Sequence, residues 1–173
     1  MNSLLLNALV WHILLGITAI VAFTGVSLLL RGKDLNVKLV KIYSLLGFLG
    51  FLGSWIFGGY YYATYYASEV KPLILAGTTP LIHQILMESK EHVFLFLPFL
   101  AFVTCLLLYS LSKEIGTNEK LKKSLILLSL LIVTLGIIIT LSGIAISGAV
   151  TKKSQSAKIS LSNLTEAAKY NHE

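Results

Sequence analysis

The chain has 173 residues, 55% of them hydrophobic and only 13% charged, with a formal net charge of +6 and a mean hydropathy of +0.80. Those proportions exclude a soluble domain and describe an integral membrane protein. The positive charge is not a nucleic-acid footprint, because the basic residues flank apolar runs and form no stripe interleaved with aromatics.

Four apolar runs, about 4–30, 42–62, 93–112 and 124–150, each reach the roughly 20 residues a helix needs to cross the hydrocarbon. Backbone groups cannot stay unpaired in lipid, so each run is predicted to be helical. The first run opens on Met1-Asn2-Ser3 without a basic residue and is too long for a secretion signal, so it reads as a retained helix. Arg31, Lys33, Lys38 and Lys41 follow it. The second run carries Gly47, Gly50 and Gly53, which permit close helix contact, and ends in the cluster Tyr60, Tyr61, Tyr62, Tyr65 and Tyr66, placed as an interfacial belt with Trp11 and Trp55.

Residues 63–91 form a long connection with only Lys71 and Lys90 as basic residues. Within it Thr79-Pro80 is a good helix start, a cap followed by a residue pre-set for the first turn. The third helix is therefore expected over 80–112, extended on the outer side, with Pro98 able to kink it. Lys113, Lys120, Lys122 and Lys123 mark a second basic connection. Residues 151–173 read as a polar tail, with Ser162 capping a short helix over 163–170.

The expected architecture is all-α: an integral membrane four-helix bundle spanning residues 1–150, made of two helical hairpins (about 4–30 with 42–62, and 80–112 with 124–150). Basic connections stay in the cytoplasm, so both termini face outward, N-out and C-out, although Lys152, Lys153, Lys158 and Lys169 then lie outside. The multi-pass chain is assigned to a prokaryotic cell membrane.

Function rests on two histidines at one depth. His12 lies 19 residues before Arg31 and His92 lies 21 residues before Lys113, which puts both roughly 28–32 Å from the same charged boundary. At that depth the other two helices carry Gly58, Gly59, Ser142, Gly143, Ser147 and Gly148, and Gly16 lies one turn from His12. Missing side chains leave room for a large flat group or for close helix packing. One haem b between the first and third helices, held by His12 and His92 and bordered by Gly16, Gly59 and Gly143, fits that pattern. A copper, zinc or iron ion on His12, His92 and Glu88 is the neighbouring alternative, since Glu88 and His92 share a face at i, i+4. His83 is nine residues from His92, on the opposite face, and reads as an interfacial polar residue, whereas His172 lies in the tail.

Cys105 is the only cysteine, which excludes an intrachain disulfide, a four-cysteine cluster and the attachment motif of c-type haem. No hydrolase or nucleotide-binding motif is present. His12 near the outer end of the first helix, His92 opening the third, and the Gly58-Gly59-Tyr60 exit of the second resemble small four-helix membrane proteins of the cytochrome b561-like kind and related uncharacterised families. The resemblance covers about residues 8–112. It implies b-type haem and electron exchange with quinone or a partner protein, as an oxidoreductase component. Two-haem members carry histidines near the cytoplasmic face; this chain has none, so one haem is expected. The alternative from a different class is a structural or accessory subunit, packed into a larger membrane complex and carrying incidental histidines.

Overall fold

The computed structural model describes residues 3–76, 85 and 88–170, and its regular structure is entirely helical. Helix α1 spans Ser3–Arg31 and α2 spans Val37–Tyr61, which a π-helical segment, Tyr62–Val70, continues directly. A single turn, α3 (Lys71–Leu75), follows, then α4 (Glu88–Ser110) and α5 (Glu119–Tyr170). Among the described residues, three stretches are long and apolar enough to cross a membrane: Ser3–Arg31, Val37–Val70 and Glu119–Gly148. The apolar part of α4 is shorter, Leu95–Ser110, because its first turn is spent on Glu88, Lys90, Glu91 and His92. The predicted start at Thr79-Pro80 and His83 lie outside the described residues, as does His172.

Two asparagines set the entries that follow the basic connections. Asn36 Oδ1 accepts the Leu39 N–H at 3.1 Å, and Asn118 Oδ1 accepts the Leu121 N–H at 3.1 Å. Each satisfies one of the amides that a helix start leaves without an intrahelical partner. The second connection is held from inside by Ile115, which is fully buried against the core.

α1 packs on α2 and α5, and α4 packs on the same two helices, which places α1 and α4 on opposite corners. One core joins all four, with Phe23, Val26 and Leu30 from α1, Val40 and Phe51 from α2, Leu97 and Leu108 from α4, and Leu125 and Ile132 from α5. Hydroxyls inside the spans are satisfied locally. Thr24, Ser27, Thr104, Ser129 and Thr140 each donate to the carbonyl four residues back, so none of these five donors is left bare in hydrocarbon.

The α1–α2 contact is a seam of glycines and small residues, each notched by a side chain or backbone of α1. A Cβ on Gly47 would fall 2.6 Å from Phe23, one on Gly50 3.0 Å from Ala19 and the Leu15 carbonyl, and one on Gly53 2.9 Å from Leu15. The helices run antiparallel, so α1 is met in descending order as α2 ascends. The three glycines thus act as packing notches.

Two expectations change. The second helix was expected to end near 62, yet it winds on as a π-helix to Val70. The wider turn stacks Tyr62 on Tyr66 (5.3 Å) and sets Tyr61 beside Tyr65 (5.6 Å). It brings Tyr66, Val70 and Ile74 down on Ile146 of α5, a second small core. The tyrosine cluster is therefore part core: Tyr66 is buried while Tyr60 remains exposed. The tail beyond 150, expected as a polar segment with a short helix, is instead a continuation of α5 to Tyr170. Residues 149–170 contain neither Gly nor Pro, so nothing in them interrupts the ladder.

Candidate functional site

His12 projects from α1 into the seam with α2, one notch beyond Leu15. A Cβ on Gly58 would lie 2.6 Å from His12 Nδ1 and 2.8 Å from Cε1. The imidazole therefore occupies the space that Gly58 leaves. Its Nδ1 is 2.8 Å from the Ser54 carbonyl oxygen and 3.0 Å from Ser54 Oγ, and the Ser54 hydroxyl donates to the His12 carbonyl at 2.9 Å. A carbonyl only accepts, so Nδ1 carries a proton, shared with Ser54 Oγ. Side chain and backbone of one residue are thus tied to side chain and backbone of the other. Ser54 is 2% exposed, and a Cβ on Gly16 would come 3.2 Å from its Oγ, so Gly16 makes room for the serine. Trp11 and Phe57 stack at 6.4 Å beside this clamp.

The remaining predicted site residues are dispersed. His92 lies near the start of α4 at an exposed position. Gly59 has nothing within 4 Å of the place a Cβ would take, and Gly143 is half-buried on α5. Glu88 opens α4; its side chain lies outside the described part of the structure. Among the described residues no group of three or more His, Cys, Asp or Glu side chains converges on a point.

An axial imidazole of a haem is oriented by a hydrogen bond from its other ring nitrogen, and the anchored Nδ1 of His12 has that arrangement. The space beside it, however, is filled by Ser54 and by the ring itself over Gly58. His92 is exposed on a helix that packs on α2 and α5, away from the His12 seam. A separate apolar groove of about 220 Å³ lies between α2 and α4, lined by Phe48, Trp55, Pro98 and Phe102 among others. It is smaller than the roughly 300–1,000 Å³ of a cofactor pocket. Half of the pair thus has the chemistry of a ligand, and among the described residues the groove between α2 and α4 is too small to hold the group.

Counting residues along the sequence located His12 level with Gly58, and Gly16 one turn away, and the structure joins all three through Ser54. Counting missed Ser54, the residue that locks them. The signal was present: Gly47, Gly50, Ser54 and Gly58 recur at three- and four-residue steps along one face of α2.

Comparison of the chain with protein-family models, curated proteins and solved structures finds no match.

Proposed function

We propose that the chain is a multi-pass protein of a prokaryotic cell membrane, a four-helix bundle of two hairpins with both termini outside, serving as a structural or accessory subunit of a larger membrane complex. The observation that carries this reading is the His12 clamp. Beside the histidine, Gly58 is matched by the imidazole and Gly16 by Ser54, while Gly59 has nothing within 4 Å. His12 is engaged in joining two helices through a polar contact that lipid cannot replace.

A second reading has its own support. The Nδ1–H bond to the Ser54 carbonyl is the kind of anchor that orients an imidazole ligating iron, copper or zinc through its other nitrogen. On that reading His12 and His92 hold one haem b, with Gly59 and Gly143 beside it, or a metal ion shared with Glu88. The protein then exchanges electrons with quinone or a partner, as the cytochrome b561-like resemblance implies.

Detergent-purified protein from haem-replete cells separates the two. The accessory-subunit reading expects a colourless protein without stoichiometric metal, and a His12→Ala variant that loses stability but changes no spectrum. A Soret band that disappears in both His12→Ala and His92→Ala would overturn it.

A further inference from the structure

The groove between α2 and α4 does not stand alone on its face. Phe48, Leu52 and Trp55 line it from α2 and Pro98, Phe99 and Phe102 from α4, with no ionisable side chain in its walls. Lys41 lies seven residues before Phe48, and Tyr109 lies seven after Phe102. At 100° per residue, a step of seven returns to nearly the same helix face. The contacts follow that register. The Phe48 and Phe102 rings are 5.2 Å apart, and the Lys41 ammonium stands 5.2 Å from the centre of the Tyr109 ring. Leu45 and Leu106, at positions between these two pairs, are exposed. α2 and α4 meet on the buried side of this line, where Ser44 and Cys105 touch at 3.7 Å. One open crease therefore runs from a cation at the end of the bundle to a trough inside the apolar part of both helices.

We propose that this crease binds one anionic glycerophospholipid, with its phosphate at Lys41 and one acyl chain in the trough. The dimensions suit a chain that starts at the charged end. The trough begins about 10 Å from the level of Lys41 and ends about 21 Å from it, at 1.5 Å per residue. The bilayer midplane, about 15 Å from a charged boundary, falls within it. A volume of about 220 Å³ over that length leaves a section of roughly 20 Å², room for a single hydrocarbon chain. Charge selects the headgroup. The two connections at this end carry eight basic residues against Asp34, Glu114 and Glu119, a surplus of five. Lys38 lies one turn from Lys41, and Lys113 lies four residues beyond Tyr109; both are exposed. Among the described residues none of these three lysines is in an ion pair, whereas Glu119 is taken by Lys122 at 3.9 Å. The ring beneath Lys41 holds its ammonium beside the crease. A lysine whose stem lies along apolar surface presents its charge to the headgroup layer. A zwitterionic lipid offers the same chain but no net charge to answer the surplus.

The lipid site goes beyond the accessory-subunit reading and draws nothing from the histidines, so a haem-bearing protein would end that reading and leave this one standing. The test uses the full chain with Trp11→Phe, which leaves Trp55, in the trough wall, as the single tryptophan. The protein is reconstituted in phosphatidylcholine vesicles. A minor fraction of the lipid carries brominated acyl chains, which quench tryptophan on contact, on either phosphatidylglycerol or phosphatidylcholine. The brominated phosphatidylglycerol is expected to associate at Trp55 roughly fivefold or more tightly than its phosphatidylcholine twin, the effect of one cation near the surface. Lys38→Gln combined with Lys41→Gln should abolish that preference. The equal charge loss of Lys120→Gln with Lys123→Gln, off the crease, should keep it. Leu52→Phe fills the trough and should reduce quenching by both lipids without loss of helical circular dichroism. Equal quenching by the two lipids overturns the proposal, since the headgroup is then not selected. Absence of quenching by either would mean that protein covers the trough, and overturns it too. So does a preference that falls alike in both lysine pairs, the mark of diffuse attraction to the surplus charge.

Discussion

Gly58→Ala and Gly59→Ala insert the same methyl at adjacent positions of α2, and the structure gives them opposite signs. At Gly58 the new Cβ would stand 2.6 Å from His12 Nδ1, well inside van der Waals contact. The ring cannot rotate away without giving up its hydrogen bonds to Ser54, so the cost is that of overpacking, about 1–3 kcal/mol. The helix gains about 0.5–1 kcal/mol when Ala replaces Gly. The net expectation is a loss of about 1–2 kcal/mol. At Gly59 nothing lies within 4 Å, so only the propensity gain remains and stability should rise by about 0.5 kcal/mol. Unfolding by increasing SDS fraction in mixed micelles, followed by Trp fluorescence or circular dichroism, measures both. A double-mutant cycle identifies the cause: in a His12→Ala background the cost of Gly58→Ala should vanish, because the atom it strikes is gone. Equal effects at the two glycines, or a cost at Gly58 that persists without the imidazole, would refute the clamp as described.

Three further outcomes follow from the same seam. Ser54→Ala removes the hydroxyl bond to the His12 carbonyl while leaving the Nδ1–H on the Ser54 carbonyl; the expected loss is about 0.6 kcal/mol, and at most about 1.7, read by the same titration. Gly47→Ala places a methyl 2.6 Å from the fully buried Phe23 ring and should cost about 1–3 kcal/mol, whereas Gly148→Ala, with nothing within 4 Å, should cost nothing measurable. Cys105 is buried beside Ser44, its Sγ 3.7 Å from the hydroxyl, so maleimide labelling in mild detergent should be slow and should become fast once SDS unfolds the protein; rapid labelling of the native form would contradict that packing.

Composition and run length were enough to read an all-helical membrane chain, since hydrocarbon leaves few options for a long apolar run. Depth along a helix was equally legible, because rise per residue is constant, and it set His12 level with Gly58, whose missing Cβ the imidazole occupies. Azimuth was not. Whether two residues at one height face each other depends on which helices are neighbours, and the sequence holds no direct record that α1 and α4 take opposite corners. The glycines show the same limit: a missing side chain signals space, and only the packed structure reveals that a neighbour's imidazole, phenyl ring or isobutyl group has filled it. Asn36 and Asn118 are helix caps by residue type and position, each set among basic residues that give no such local signal. The π-helical turn was not readable, since its driving contact, Tyr66 with Val70 and Ile74 on Ile146, joins segments about 75 residues apart.

The notched seam also bears on the order of events at the translocation site. It joins the first two helices of the chain, linked by the brief stretch from Gly32 to Asn36, so every contact in it is available before α4 has been synthesised. His12 and Ser54, the polar pair in that seam, can meet while the remainder of the polypeptide is still emerging. Neither has to wait alone in lipid for a distant helix to arrive.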